Sequence, residues 1–260
     1  MSSYLINQTH GVMPVIFHIA SWPVPTYTFF ISLGFLTGFI VYYHEVKKAN
    51  IKGEFPFLIA IGAFTGSALG AKLLELMINI DKIGSTNELV YFIFSGRTII
   101  GGLIGGTIGV WITKRFMHMK TRRGNLFAPA IAAGVAIGRF GCFFNGCCYG
   151  KPTSLPWGVN FGDGLYRHPT MLYESIFMAC MFIVIKIIQK KYIPPPGALF
   201  SFLMIAYFIF RFLIEYIRVE RTAFIGFTWF QIISLLVLGW LVFSEKELIL
   251  KQINRYGRPS

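Results

Sequence analysis

The chain has 260 residues, of which 55% are hydrophobic and only 13% charged, and its mean hydropathy is +0.61. That composition excludes an ordinary soluble domain or a disordered chain and points to an all-α, polytopic membrane protein. The net charge of +13, from 24 Lys and Arg against 11 Asp and Glu, would suit a nucleic-acid binder, but the basic residues fall in short loops between apolar runs, so topology accounts for them and no nucleic-acid partner is expected.

In chain order, residues 1–23 carry no Lys or Arg and end in Trp22 and Pro23, the pattern of an interfacial segment on the outer face. The first basic residue is Lys47. A cleaved signal peptide, which needs a positive start, is therefore not expected. Apolar runs follow at 24–43, 56–78, 90–113, 125–144, 171–188, 197–217 and 225–243, each near the roughly 20 residues that cross a bilayer. They predict seven transmembrane helices in one integral domain over 1–260. Pro56 opens the second run, Pro194, Pro195 and Pro196 precede the sixth, and Pro152 and Pro156 interrupt the segment between the fourth and fifth. At about 25 residues, that segment is longer than a mere connector and predicts an outer-face functional element.

Charge sets the orientation. Segments after the first, third, fifth and seventh runs hold 15 Lys and Arg, among them Lys52, Lys120 and Arg258, and the alternate segments hold six, among them Lys82, Arg97 and Arg221. This bias predicts the N-terminus outside and the C-terminus in the cytoplasm. No internal repeat is visible, so the inverted repeats of secondary transporters find no support.

The stretch GRFGCFFNGCCYGKP, Gly138 to Pro152, ends the fourth run and opens outward under that topology. A guanidinium so near hydrocarbon is costly, so Arg139 implies a buried anionic partner. Arg211 in the sixth run lies at similar depth, and two planar forks converging there would suit a phosphate, which in a bilayer means a lipid headgroup. Glu215 and Arg218 continue the Arg211 face at helical spacing. A purely structural alternative holds the two arginines with Glu174 and Glu215. Lys72 and Glu75, three apart, are expected to pair with each other. Tyr27 and Tyr207 are phosphate donors or members of the interfacial aromatic belt. The run GGLIGGTIG, Gly101 to Gly109, marks close helix packing or a smooth wall for acyl chains. His168, in RHPTMLYE at the start of the fifth run, is a belt residue or a proton acceptor near the headgroup. Cys142, Cys147, Cys148 and Cys180 lack paired ligand spacing and have no histidine nearby, so no metal and no cofactor are expected. Cys147 and Cys148, on the oxidising side, read as redox-sensitive thiols.

Together these stretches resemble the prolipoprotein diacylglyceryl transferase family over nearly the whole chain. The resemblance rests on Tyr27, GGLIGG from Gly101, GRFGCFFNGCCYG from Gly138, PWGV from Pro156, RHPTMLYE from Arg167 and YFIFRFLIEYIR from Tyr207 to Arg218. It implies a bacterial inner-membrane enzyme that moves diacylglyceryl from phosphatidylglycerol to the lipobox cysteine of a preprolipoprotein. The implied partners are that lipid, lipobox peptides and membrane lipid, around a monomer. Arg139 and Arg211 take the catalytic charge roles; for the base, position near the outer boundary points to His168, with a lowered pKa of the acceptor thiol as the alternative. Tyr27, Gly101, Gly102, Asn145, Gly150, Tyr207, Glu215 and Arg218 are the implied substrate contacts. Two features depart from the family pattern: Ile100 stands where a histidine usually precedes the Gly-Gly pair, and Cys142 and Cys147 stand where Asn and Glu are usual. They mark a divergent member. The alternatives are a paralogous lipid-headgroup transferase with another acceptor and a non-enzymatic phospholipid transporter.

Overall fold

The computed structural model describes residues 12–256 except 52, 54, 81–97, 120–121 and 221, with side chains described up to residue 244. The first part of the expected interfacial segment, the start of the third apolar run, and Lys52, Lys82, Arg97, Lys120, Arg221 and Arg258 lie outside the described residues. Backbone amides and carbonyls facing lipid must bond within their own segment, so long apolar runs become helices.

Seven helices are found among the described residues: α1 (Thr26–Lys48), α2 (Phe55–Ile78), α3 (Ile99–Phe116), α4 (Gly124–Asn145), α5 (Thr170–Lys191), α6 (Ala198–Ile214) and α7 (Trp229–Tyr256). Each falls on one of the seven apolar runs. Five are long and apolar enough to cross a membrane, namely α1, α2, α4, α5, and α6 with the 3-10 turn Glu215–Ile217 that extends it. In α7 the apolar part is shorter, Trp229–Ser244.

Three short antiparallel hairpins precede or separate the helices. β1 (Val15–Ile19) pairs with β2 (Trp22–Pro25), so α1 begins at Thr26, two residues later than the apolar run suggests. β3 (Val159–Asn160) pairs with β4 (Tyr166–Arg167), and β5 (Thr222–Phe224) with β6 (Phe227–Thr228).

The chain divides into two compact units, residues 46–121 and the remainder. In the smaller unit, α2 and α3 run antiparallel with glycines facing glycines. A Cβ on Gly105 would lie 2.3 Å from the Gly66 carbonyl oxygen, and one on Gly66 would lie 2.4 Å from that of Gly105. Only hydrogen fits at that approach, which is how small residues bring membrane helices together. The packing reading of the Gly101–Gly109 run therefore holds. Thr98 caps α3, its Oγ1 accepting from the Gly101 amide at 3.2 Å. Glu75 accepts from Asn79 Nδ2 at 3.0 Å.

In the larger unit α4 is the most buried helix. Its small residues Ala128, Ala130, Ala132 and Ala136 are all buried. Gly34 of α1 backs onto it so closely that a Cβ there would fall 2.6 Å from the Gly134 carbonyl oxygen. On another side, Ser175 of α5 donates to the Ala136 carbonyl at 2.6 Å. Asn125, near the start of α4, fixes the entry to α6: its Nδ2 donates to the Pro195 carbonyl at 2.8 Å and its Oδ1 accepts from the Leu199 amide at 3.0 Å. The outer surfaces of α1 and α5 are apolar and exposed, as at Phe35, Phe39, Ile176 and Ile183, which suits contact with lipid.

The long segment between α4 and α5 is an ordered element. Phe161, only 2% exposed, stacks on Tyr149 with ring centroids 5.4 Å apart. Arg167 also lies over the Tyr149 ring, 4.9 Å from its centroid, and pairs with Asp163 at 2.5 Å. That guanidinium holds the Asp163 carboxyl below its usual range. Backbone bonds from Lys151 N to Ile217 O at 2.7 Å, and a bridge between Gly150 and Arg218, lace the segment to the end of α6.

Candidate functional site

The site is a buried ionic cluster where α4, α5 and α6 meet. Tyr207, Arg211 and Glu215 recur at four-residue spacing, so one face of α6 and its terminal turn presents all three. Arg139 comes from the last two turns of α4, and Glu174 from the second turn of α5, which starts directly after Pro169. All five side chains are buried, as is Arg218.

Glu174 is the centre. Its Oε2 accepts from Arg139 Nη2 and lies 3.7 Å from Arg211 Nη1, and its Oε1 accepts from the Tyr207 hydroxyl at 2.9 Å. Arg211 extends onward to Glu215, Nη2 to Oε2 at 3.1 Å, and its guanidinium lies 5.0 Å from the Phe230 ring centroid. Arg218 completes the chain with Nε 3.6 Å from Glu215 Oε2, Nη2 2.9 Å from Glu220 and Nη1 donating to the Cys148 carbonyl at 2.9 Å. Burial opposes the charge on Arg218. Even so, Cys148, Glu215 and Glu220 beside it hold its pKa above the ordinary arginine range, so it stays charged.

The expected structural pairing is thus present, Arg139 with Glu174 and Arg211 with Glu215, yet it does not use the available donors. Among the described residues the Nε atoms of Arg139, Arg211 and Arg218 are buried without hydrogen bonds. Both Glu215 oxygens likewise lack a hydrogen bond, Oε2 despite its ion-pair distances to Arg211 and Arg218. Buried polar atoms are nearly always bonded, and unmatched guanidinium donors suit a further anion.

The other sequence-selected residues fall into place around this cluster with unequal closeness. Tyr27 packs against the cluster of Cys142, Phe161 and Met171. Asn145 is the last residue of α4, half-buried, followed by the left-handed cap Gly146 (φ 66). Gly150 is obligatory, because a Cβ there would meet Ile217 O at 2.5 Å and His168 Cβ at 2.8 Å. His168 sits at an aromatic rim, its Nδ1 3.2 Å from the Tyr173 hydroxyl, which also accepts from Trp157 Nε1 at 2.8 Å. Its ring bond is therefore to Tyr173 and not to the arginines. Gly101 and Gly102 belong to the smaller unit, as does Ile100, which is 1% exposed.

Glu174 and three cysteines have a larger place here than the sequence reading gives them. Glu174 was recognised as a counter-ion but not as the shared centre of the site; the available signal was that positions 170, 171, 177 and 178 offer it no basic partner on its own helix. The cysteines were set aside on spacing, yet the Sγ atoms of Cys142, Cys147 and Cys148 lie within 4.8 Å of one another. The Cys147 thiol is pushed up by hydrogen bonding to its two neighbours. Cys148 is held well below the usual thiol range by hydrogen bonds from them and by Arg218 and Arg139.

Apolar helices of spanning length around a buried arginine–glutamate cluster define a polytopic membrane protein with an ionic site inside its helices. Residues 14–244 match the prolipoprotein diacylglyceryl transferase family, and the chain belongs to it. It is similar to the phosphatidylglycerol–prolipoprotein diacylglyceryl transferase of Clostridium tetani, at 32% identity over 241 residues covering 89% of this chain and 96% of that protein. A relative of the same description from Dehalococcoides mccartyi is 33% identical over 246 residues, 88% of this chain and 91% of its own. A third, from Finegoldia magna, is 32% identical over 208 residues, 79% and 84% of the two chains.

Proposed function

We propose that this protein transfers the diacylglyceryl group of phosphatidylglycerol to the lipobox cysteine of a preprolipoprotein. Family membership supports the reaction, and the convergence of Arg139 and Arg211 on one carboxylate carries the assignment of the site. In the step, the acceptor thiol loses its proton and its sulfur bonds to the glyceryl carbon. The bond from that carbon to the phosphate oxygen breaks, and its electron pair leaves with glycerol phosphate.

The leaving phosphate enters among guanidiniums already held in place, so little reorganisation accompanies the growth of charge on it. Arg139 and Arg211 take the phosphate oxygens in place of Glu174, with Tyr207, Tyr27 and Asn145 as neutral donors and Glu215 and Arg218 fixing Arg211. The same positive charge favours the thiolate of the acceptor, whose reference pKa is near 8.5. Acceptor ionisation then needs only a modest base. His168 is the proposed acceptor of that proton, with Tyr173 orienting its ring.

The protein acts as a monomer in the bacterial inner membrane with seven spans, the N-terminus outside, and the site opening to the outer face. The basic-residue bias supports this orientation. Ile100 and Cys147 favour one second reading, a paralogue that hands the same group to a different nucleophile.

The test incubates purified protein with phosphatidylglycerol and a lipobox peptide and follows the peptide by mass spectrometry. The expected product is a thioether-linked diacylglyceryl peptide with release of glycerol phosphate. Release of glycerol phosphate to another acceptor, with the peptide unmodified, would establish the paralogue. No release at all, beside an active relative, would overturn transferase activity.

A further inference from the structure

Cys142, Cys147 and Cys148 have no part in the reaction above, yet the backbone is bent to gather them. Helix α4 ends at Asn145, Gly146 turns left-handed at φ 66, and Cys148 adopts φ 66 as well. A residue with a Cβ adopts that conformation only at a cost in strain. The double reversal folds the chain back over the helix end. Cys147 Sγ comes 3.7 Å from the Cys142 carbonyl oxygen, and all three sulfurs lie within 4.8 Å of one another as free thiols. Cys142 is buried, and Cys148 is exposed.

We propose that the three thiolates form a three-coordinate site for one soft monovalent metal ion, Cu(I). A sulfur-only donor set selects soft metals. Metal–sulfur bonds of about 2.3 Å place three sulfurs around one ion about 4 Å apart, a spacing within the limit the cysteines already meet. Structural zinc takes four ligands, and among the described residues the cluster holds three and no fourth His, Cys, Asp or Glu.

Charge balance favours the same ion. Three thiols release three protons as Cu(I) binds, leaving a complex of charge −2, and no oxidant or reductant is consumed. Two guanidiniums stand beside it: Arg139 Nη1 is 3.9 Å from Cys142 Sγ, and Arg218 Nη1 holds the Cys148 carbonyl at 2.9 Å. A partly buried dianion would otherwise be untenable. The exposure of Cys148 gives the ion its way in.

The test titrates full-length, detergent-purified and anaerobically reduced protein with Cu(I) in competition with bathocuproine disulfonate, and examines the loaded protein by X-ray absorption. The expected result is one retained equivalent with three sulfur neighbours. Cys147→Ser and Cys148→Ser each lower affinity by about tenfold or more, and Cys180→Ser leaves it unchanged. Thermal unfolding of each metal-free variant confirms that it is folded, and Cys148→Ser, at an exposed position, serves where Cys142→Ser does not fold. Loss of all copper to the competitor, retention by the Cys147 and Cys148 variants, or a two-sulfur shell would overturn the proposal. A Zn(II) ion that displaces copper and completes a four-atom shell would overturn the choice of metal.

Discussion

Arg139 reaches Glu174 with one terminal nitrogen while its Nε stays unbonded, so its use in the site depends on having a planar fork with donors to spare. A lysine at this position would keep the charge and lose the second prong. Arg139→Lys is therefore expected to lower transfer by roughly a hundredfold or more, the scale on which a single preorganised donor matters in a charged transition state. Rates measured with the lipobox peptide check this, and wild-type turnover would exclude two-pronged phosphate binding. Glu174 makes the complementary case. Removing one partner of a buried ion pair costs about 3–5 kcal/mol, so Glu174→Gln should unfold at lower temperature in detergent. In the proposed reaction a phosphate must displace the carboxylate in the wild-type protein but merely replaces it in the variant. Phosphatidylglycerol should accordingly raise the unfolding temperature of Glu174→Gln more than that of the wild type, whereas equal shifts would make Glu174 purely structural. The arginines were legible in the sequence because a charge in an apolar run demands explanation. The sharing of Glu174 was not, because it depends on how α5 is rotated against α4 and α6, which no local spacing encodes. His168 was picked out by its position near a boundary, and position alone did not reveal that its ring faces Tyr173.

Among the elements, the α2–α3 pair shows how finely a glycine run separates packing from tolerance. A Cβ at Gly105 lands 2.3 Å from a backbone oxygen, while one at Gly102 meets only the Ser67 hydroxyl at 3.1 Å, which can rotate. Gly105→Ala should therefore force α2 and α3 apart and lower expression and thermal stability, with Gly102→Ala close to wild type in both. Comparable behaviour of the two variants would refute the close backbone contact. The glycine spacing made this interface readable in advance. The β-hairpins were less readable: Trp22–Pro25 contains two prolines and reads as a boundary, and its strand character comes from pairing with Val15–Ile19. The segment between α4 and α5 was legible as an element by its length, but its form rests on long-range contacts, Phe161 under Tyr149 and Lys151 bound to the end of α6. The cysteine cluster stayed hidden for a similar reason. Metal-ligand spacing rules assume regular hairpins or helices, and here two left-handed residues, Gly146 and Cys148, bring together sulfurs whose spacing matches neither.

For the whole molecule, function requires that the cluster face the side on which lipobox cysteines emerge. All the members lie near the C-terminal ends of α4 and α6 and the N-terminal end of α5, hence at one end of the larger unit. At the opposite end Glu45 of α1 accepts from Lys186 and Gln189 of α5, and α5 finishes with Lys190 and Lys191. In the proposed orientation, which the basic-residue bias supports, that Lys-rich end lies in the cytoplasm and the arginine cluster in the outer leaflet. A C-terminal reporter that is active only in the cytoplasm should therefore be active, and a cysteine placed at the exposed Leu165 should be labelled in intact spheroplasts by a membrane-impermeant maleimide. A cysteine replacing the exposed Tyr192, just past the end of α5, should be labelled only after permeabilisation. Because the cluster is tied to the 146–169 segment through Gly150, Lys151 and Cys148, labelling at Leu165 reports the side on which the site opens. Protection of Leu165→Cys together with labelling of Tyr192→Cys would invert the topology, and with it remove the acceptor peptide's access to the arginines.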